Sequence, residues 1–182
     1  MRGLGLGDMM SQIGKGETVQ LRLVNVIIAA YQYALHRALG SGSGAMTQML
    51  ITSLGDELVN LLEDIGVKIS EERDVAEAIR KALEEFGIAK KVEVVKPETD
   101  KAGEEYVIRI YDSVFKDIPR FLAKVGARYT LSPEALLVAA IVRGFLRRRD
   151  PNARVNVSVD TYEPDKPLTI RVRIIRSMAS KA

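Results

Sequence analysis

The order of patterns along this chain predicts an α+β fold, with helices packed on an antiparallel sheet in the order α-α-α-β-β-α-α-β-β. Three observations carry that expectation. Long segments with apolar residues three and four apart precede a pair of alternating strands. A shorter helical block then precedes a second alternating pair. Finally, Ser132-Pro133-Glu134 opens and Asp150-Pro151-Asn152 closes an apolar helix just before that second pair.

Residues 1–16 read as a loose arm, because Gly3, Gly5, Gly7, Gly14 and Gly16 offer little to pack. The folded domain is expected over 17–176, with 177–182 as a tail. A first helix runs from about Glu17 to Leu39 and ends at Gly40. The Gly40-Ser41-Gly42-Ser43-Gly44 break leads to a second helix that continues to about Ile65 and stops at Gly66. Met46, Met49, Leu50, Leu54, Leu58, Leu61, Leu62 and Ile65 give it one broad apolar face. A third helix is expected from a Ser70 cap, with Val75, Ile79, Leu83 and Phe86 inward and Gly87 as its end.

Lys91–Lys96 alternates, Pro97–Gly103 reads as a charged turn, and Glu105–Tyr111 returns as the second strand of a hairpin. Pro119 suits the first turn of a short fourth helix capped near Asp117. The Ser132 cap starts the fifth, with Leu137, Ile141, Gly144 and Phe145 facing inward. Arg154–Tyr162 and Leu168–Arg176 form the last hairpin around Glu163-Pro164-Asp165-Lys166-Pro167. Val155, Val157 and Val159 share a face with Leu168, Ile170, Val172 and Ile174.

The 182 residues suit one domain, and 47% hydrophobic with 28% charged residues is a globular composition. A net charge of +3 makes a nucleic-acid binder only if the cations cluster. With no cysteine, disulfides, thiolate nucleophiles and cysteine-held metals are excluded. The abundance of Glu, Lys and Arg suits a thermophilic source. No membrane span is expected: the most apolar stretch, Leu21–Leu39, carries Arg22, Asn25, Gln32, His36 and Arg37. The expected location is the cytoplasm.

Few residues carry chemistry. Gly40, Gly42 and Gly44 follow a helix rather than a strand, and no P-loop lysine comes after them, so they read as a helix–helix turn. His36, the sole histidine, shares a polar stripe with Arg22, Asn25, Ala29 and Gln32, which suits a solvated or subunit-facing edge. Adjacent carboxylates such as Glu84 and Glu85 diverge and do not resemble an acid–base pair. Arg143, Arg147, Arg148 and Arg149, followed by Arg154, form the strongest charge cluster. They suit either a helix C-terminus or an acidic partner, nucleic acid or anionic lipid. Arg171, Arg173 and Arg176 add cations on the last strand.

The layout, together with Ala38-Leu39-Gly40-Ser41-Gly42-Ser43-Gly44 and Leu137-Val138-Ala139-Ala140-Ile141-Val142-Arg143-Gly144-Phe145, resembles the 4-vinyl reductase domain in an archaeal-type member. That domain shares its fold with transport protein particle (TRAPP) subunits and the haem nitric-oxide-binding domain. The resemblance implies a small-molecule or hydrophobic-ligand binding domain, often dimeric, with a cavity between helices and sheet. Many relatives carry cysteines near the last hairpin, and this chain has none. Tyr111-Asp112-Ser113-Val114-Phe115 places Phe115 where the haem-binding branch has arginine, so haem is not carried over.

The function expected is non-enzymatic binding of a small apolar or amphipathic ligand by Tyr31, Leu35, His36, Met46, Met49 and Leu50, in a homodimer built on the first two helices. The alternatives are a scaffold subunit assembling with protein partners, or a basic surface, Arg143 and Arg147–Arg149, for an acidic partner. No metal, cofactor or catalytic residue is expected.

Overall fold

The computed structural model describes residues 17–64, 72–100, 103–127, 129, 132–147, 149–163 and 166–176. The expected arm, the tail, Gly66, Ser70 and Arg148 lie outside these. The helices are α1 (Glu17–Leu39), α2 (Ser43–Asp64), α3 (Val75–Glu85), α4 (Asp117–Lys124) and α5 (Pro133–Leu146). The strands are β1 (Lys91–Asp100), β2 (Gly103–Tyr111), β3 (Arg154–Val159) and β4 (Leu168–Ile175). Element order and class are those expected from the sequence. The two hairpins join into one antiparallel sheet of order β1-β2-β4-β3.

The sheet is apolar on one side only. In the last hairpin Val155, Val157 and Val159 pair with Ile174, Val172 and Ile170. Across the centre, Ile108 pairs with Ile170 and Ile110 with Leu168. Alternation sends these side chains to the face covered by α3 and α5. The other face carries Arg171, which donates to Asp160 at 2.9 and 3.1 Å and to Glu105 at 3.5 Å.

Several boundaries differ from expectation. β1 continues past Lys96 to Asp100, because the register shifts between Val95 and Glu98. Pro97, which has no N–H to donate, is tolerated in that irregularity on an edge strand. Gly103 follows as the first residue of β2, and a Cβ there would stand 2.2 Å from the Ile174 carbonyl oxygen, so only glycine fits. The third helix starts at Val75, capped by Asp74, whose carboxylate accepts the Glu77 amide at 2.7 Å. β3 stops at Val159, so Asp160 is released to meet Arg171.

α5 is the central helix. Ser132 caps it, accepting the Ala135 amide at 3.1 Å, and Pro133 occupies its first turn. Ala135, Val138, Ala140, Ile141 and Val142 are fully enclosed between α2, α3 and the sheet. A smaller second core joins α1 to α4 through Ala29, Ile118, Leu122 and Ala127.

Candidate functional site

α1 is turned opposite to the expectation for an amphipathic helix. Asn25 and Gln32, members of the polar stripe, are 2% and 5% exposed, while Leu23, Ile27 and Tyr31 are 59%, 49% and 71% exposed. The middle of the stripe is therefore buried, while at its ends Arg22 is exposed and His36 half-buried. Small Ala29 lets α4 approach, and the Asn25 Nδ2 donates at 2.8 Å to the Val114 carbonyl in the turn before α4. Asn25 Oδ1 has no hydrogen-bond partner among the described residues. The apolar side of α1 is then left without cover among the described residues. Next to it in sequence, α2 also exposes Met46, Met49, Leu54 and Leu61. Of the residues expected to bind an apolar ligand, Tyr31, Met46 and Met49 lie on these open faces, and Leu35, His36 and Leu50 are partly buried.

A second site lies at the C-terminal end of α5, a cleft of about 520 Å³. Arg143 and Arg147 enter it from α5, Arg154 and Asn156 from β3, and Asn60 from α2, over an apolar wall that includes Val59 and Leu146. The Arg147 guanidinium donates to Asn60 Oδ1 at 2.9 Å and lies 3.6 Å from Glu63. Asp150 is the one carboxylate in the lining. Arg149 is directed elsewhere: it stacks 3.9 Å over the Phe145 ring and donates at 2.8 Å to the Glu72 carbonyl. The arginine run thus divides between a cleft and a structural contact. The glycine break Gly40–Gly42 is a single 3-10 turn between α1 and α2.

The third feature is a carboxylate that sequence reasoning read only as a helix-start signal. Glu134 is 1% exposed and accepts hydrogen bonds from Ser113 at 2.5 Å, Ser132 at 2.6 Å and Tyr129 at 2.8 Å. Three hydroxyls and the positive end of α5 replace the water that the carboxylate loses on burial. Burial, together with the adjacent Glu134 charge, holds the Tyr129 phenol far above its ordinary range, so it remains a donor. The knot adjoins a cleft of about 280 Å³ bordered by Lys116, Arg120 and Lys166. Among the described residues no group of three His, Asp or Glu side chains could hold a metal ion. No described helix is long and apolar enough to cross a membrane.

No protein-family model matches the chain. An uncharacterized protein of Methanocaldococcus jannaschii, MJ0312, is 37% identical over 157 residues, which cover 84% of this chain and 76% of that protein. The chain belongs to that archaeal protein's family. Family members that align this fully share one fold, and the fold has a solved counterpart. The crystal structure of a trafficking protein particle complex subunit 3 from Naegleria fowleri, covalently bound to palmitic acid, superposes with a TM-score of 0.58. It covers 88% of this chain and 100% of its own, at 19% identity. The family member described here therefore has the α+β fold of TRAPP subunits.

Proposed function

We propose that this protein is a non-enzymatic assembly module whose α1–α2 face packs against a second copy of the chain about a two-fold axis. The observation that carries the reading is the reversed burial of α1. Leu23, Ile27, Tyr31, Met49 and Leu61 are each at least 49% exposed, while Asn25 and Gln32 occupy the interior. Covering a side chain of this size contributes about 1.5–3 kcal/mol, so leaving five open is a large unused driving force.

Charge favours a second copy as the occupant. α1 carries Arg22 and Arg37 beyond Glu17 at its start, whereas α2 carries Asp56, Glu57, Glu63 and Asp64, of which Glu63 already lies 3.6 Å from Arg147. A two-fold contact that sets α1 of one protomer against α2 of its partner matches opposite charges twice. An anionic membrane would meet the acidic α2 and be repelled. The fold neighbour, by name a subunit of a complex, supports an assembly role.

A ligand-binding variant draws support from the palmitic acid on that neighbour and from the layout's resemblance to the 4-vinyl reductase domain. In it Tyr31, Leu35, Met46, Met49 and Leu50 would hold an apolar chain at the protomer seam, with His36 at its polar end. This protein has no cysteine, so such a chain would be held here without a thioester bond.

Light scattering on the purified protein tests the assembly. The expected mass is twice the chain's 20.1 kDa, and a monomer persisting at high concentration would overturn the reading. Native mass spectrometry of the same sample decides the ligand variant, which fails if no adduct co-purifies.

A further inference from the structure

We infer that the arginine-lined cleft at the end of α5 binds a phosphate monoester carrying an apolar substituent. This goes beyond the assembly reading and uses different residues.

Arg143, Arg147 and Arg154 come from two elements and face one space of about 520 Å³, the size of sites for small organic molecules. Cations gathered merely to match the α5 dipole would lie on α5 alone. Arg154 belongs to β3, eleven positions after Arg143, and reaches the cleft only because the chain turns back there. The carbonyl end of a helix presents about half an elementary negative charge, too little to need three guanidinium groups.

Arg147 is held against the wall by its bond to Asn60, and a guanidinium has five N–H donors, so several remain for a ligand. Guanidinium groups meeting from two sides suit a tetrahedral oxyanion that accepts paired bonds on different oxygens. Asp150 and the nearby Glu63 oppose an anion, and three cations outnumber them.

On the open sheet face Arg171 is matched by Asp160 and Glu105, and Arg176 by Glu104 at 2.7 Å. Those cations are committed to carboxylates of their own sheet. The cleft lining sets three arginines beside Asp150, with Glu63 at its margin 3.6 Å from Arg147, and Val59, Leu146 and Val155 supply an apolar wall. The lining has no aromatic ring on which a base could stack, which disfavours nucleic acid.

A phosphate monoester can arrive free in solution or as the headgroup of a lipid, and the experiment separates the two. Calorimetric titration of the full chain with octyl phosphate should show saturable binding, with inorganic phosphate at least tenfold weaker. Arg147→Gln and Arg154→Gln should each weaken octyl phosphate about tenfold or more, as expected for loss of one charge-assisted contact. Arg171→Gln should bind as the unmodified protein does, and none of the three should change the mass seen by light scattering. Co-sedimentation with phosphatidylcholine vesicles containing phosphatidic acid, lost in Arg147→Gln, identifies the headgroup as the source. Octyl phosphate binding without vesicle binding identifies a free ligand. The inference is overturned if octyl phosphate does not bind at millimolar concentration, if both cleft variants bind it normally, or if a single-stranded RNA oligonucleotide binds more tightly.

Discussion

α5 and α1 are both rich in apolar residues, yet the chain treats them in opposite ways. α5 is enclosed by two helices and the sheet, and the carboxylate it buries is met by three hydroxyls. α1 touches mainly α4, turns Asn25 and Gln32 inward and leaves Ile27 and Tyr31 open. Around α5 polar and apolar demands are met within one chain. Around α1 they are not met among the described residues, which is the feature on which the proposed assembly rests.

The same substitution on each helix should separate the two regions. Ile141→Asp places a charge at a site with 0% exposure, and the expected loss of about 5 kcal/mol or more leaves little folded protein by circular dichroism. Ile27→Asp, at a half-exposed site, should halve the assembled mass while the dilute protein keeps its far-ultraviolet spectrum. If Ile27→Asp unfolds the dilute chain as Ile141→Asp does, α1 is no open face and the contrast fails.

Glu134→Ala comes next in size. It leaves the hydroxyls of Ser113, Tyr129 and Ser132 without their acceptor and should cost about 2–4 kcal/mol in urea unfolding. A loss under 1 kcal/mol would mean that water replaces the carboxylate and that the α5 region is less closed than it looks.

Alkaline pH offers a third probe. Burial first, and then the bond to Glu104, push the Tyr106 phenol up to about 12 from an ordinary 10.0. A folded state that prefers the protonated phenol is stabilised below pH 10 and loses that stabilisation as pH rises toward 12. Two pKa units correspond to about 2–3 kcal/mol. Tyr106→Phe should flatten this part of the stability curve, and an unchanged curve would show that other groups govern alkaline unfolding.

The smallest expected change is on the open sheet face. Arg171→Gln removes an exposed ion pair with Asp160 and should cost about 1 kcal/mol or less in urea unfolding.

How far these regions were legible in the sequence follows from whether their signals are local. Alternation in Val155, Val157 and Val159 and the Ser132-Pro133 start depend on neighbours in the chain, and they placed the hairpins and α5 well. The Asp74 cap was passed over because Ser70, four residues earlier, offers the same chemistry. The orientation of α1 was not legible, since apolar periodicity marks a face as needing cover without saying whether the cover comes from the same chain. The Glu134 knot needs Ser113, 21 positions away, and no pattern along the sequence links them. The arginine run was visible as charge, but that Arg149 would stack on Phe145 while Arg147 entered a cleft depends on where α3 and β3 pass.

Tyr129 belongs to the packing of both hydrophobic cores and donates its hydroxyl to Glu134. One ring therefore couples the stability of the α1–α4 pair to that of the sheet. The small core, with four buried residues among those described, would otherwise be the easier of the two to open. With this coupling, amide protons of α4 and α5 should exchange in a single cooperative event, and Tyr129→Ala should split it in two, with α4 exchanging early.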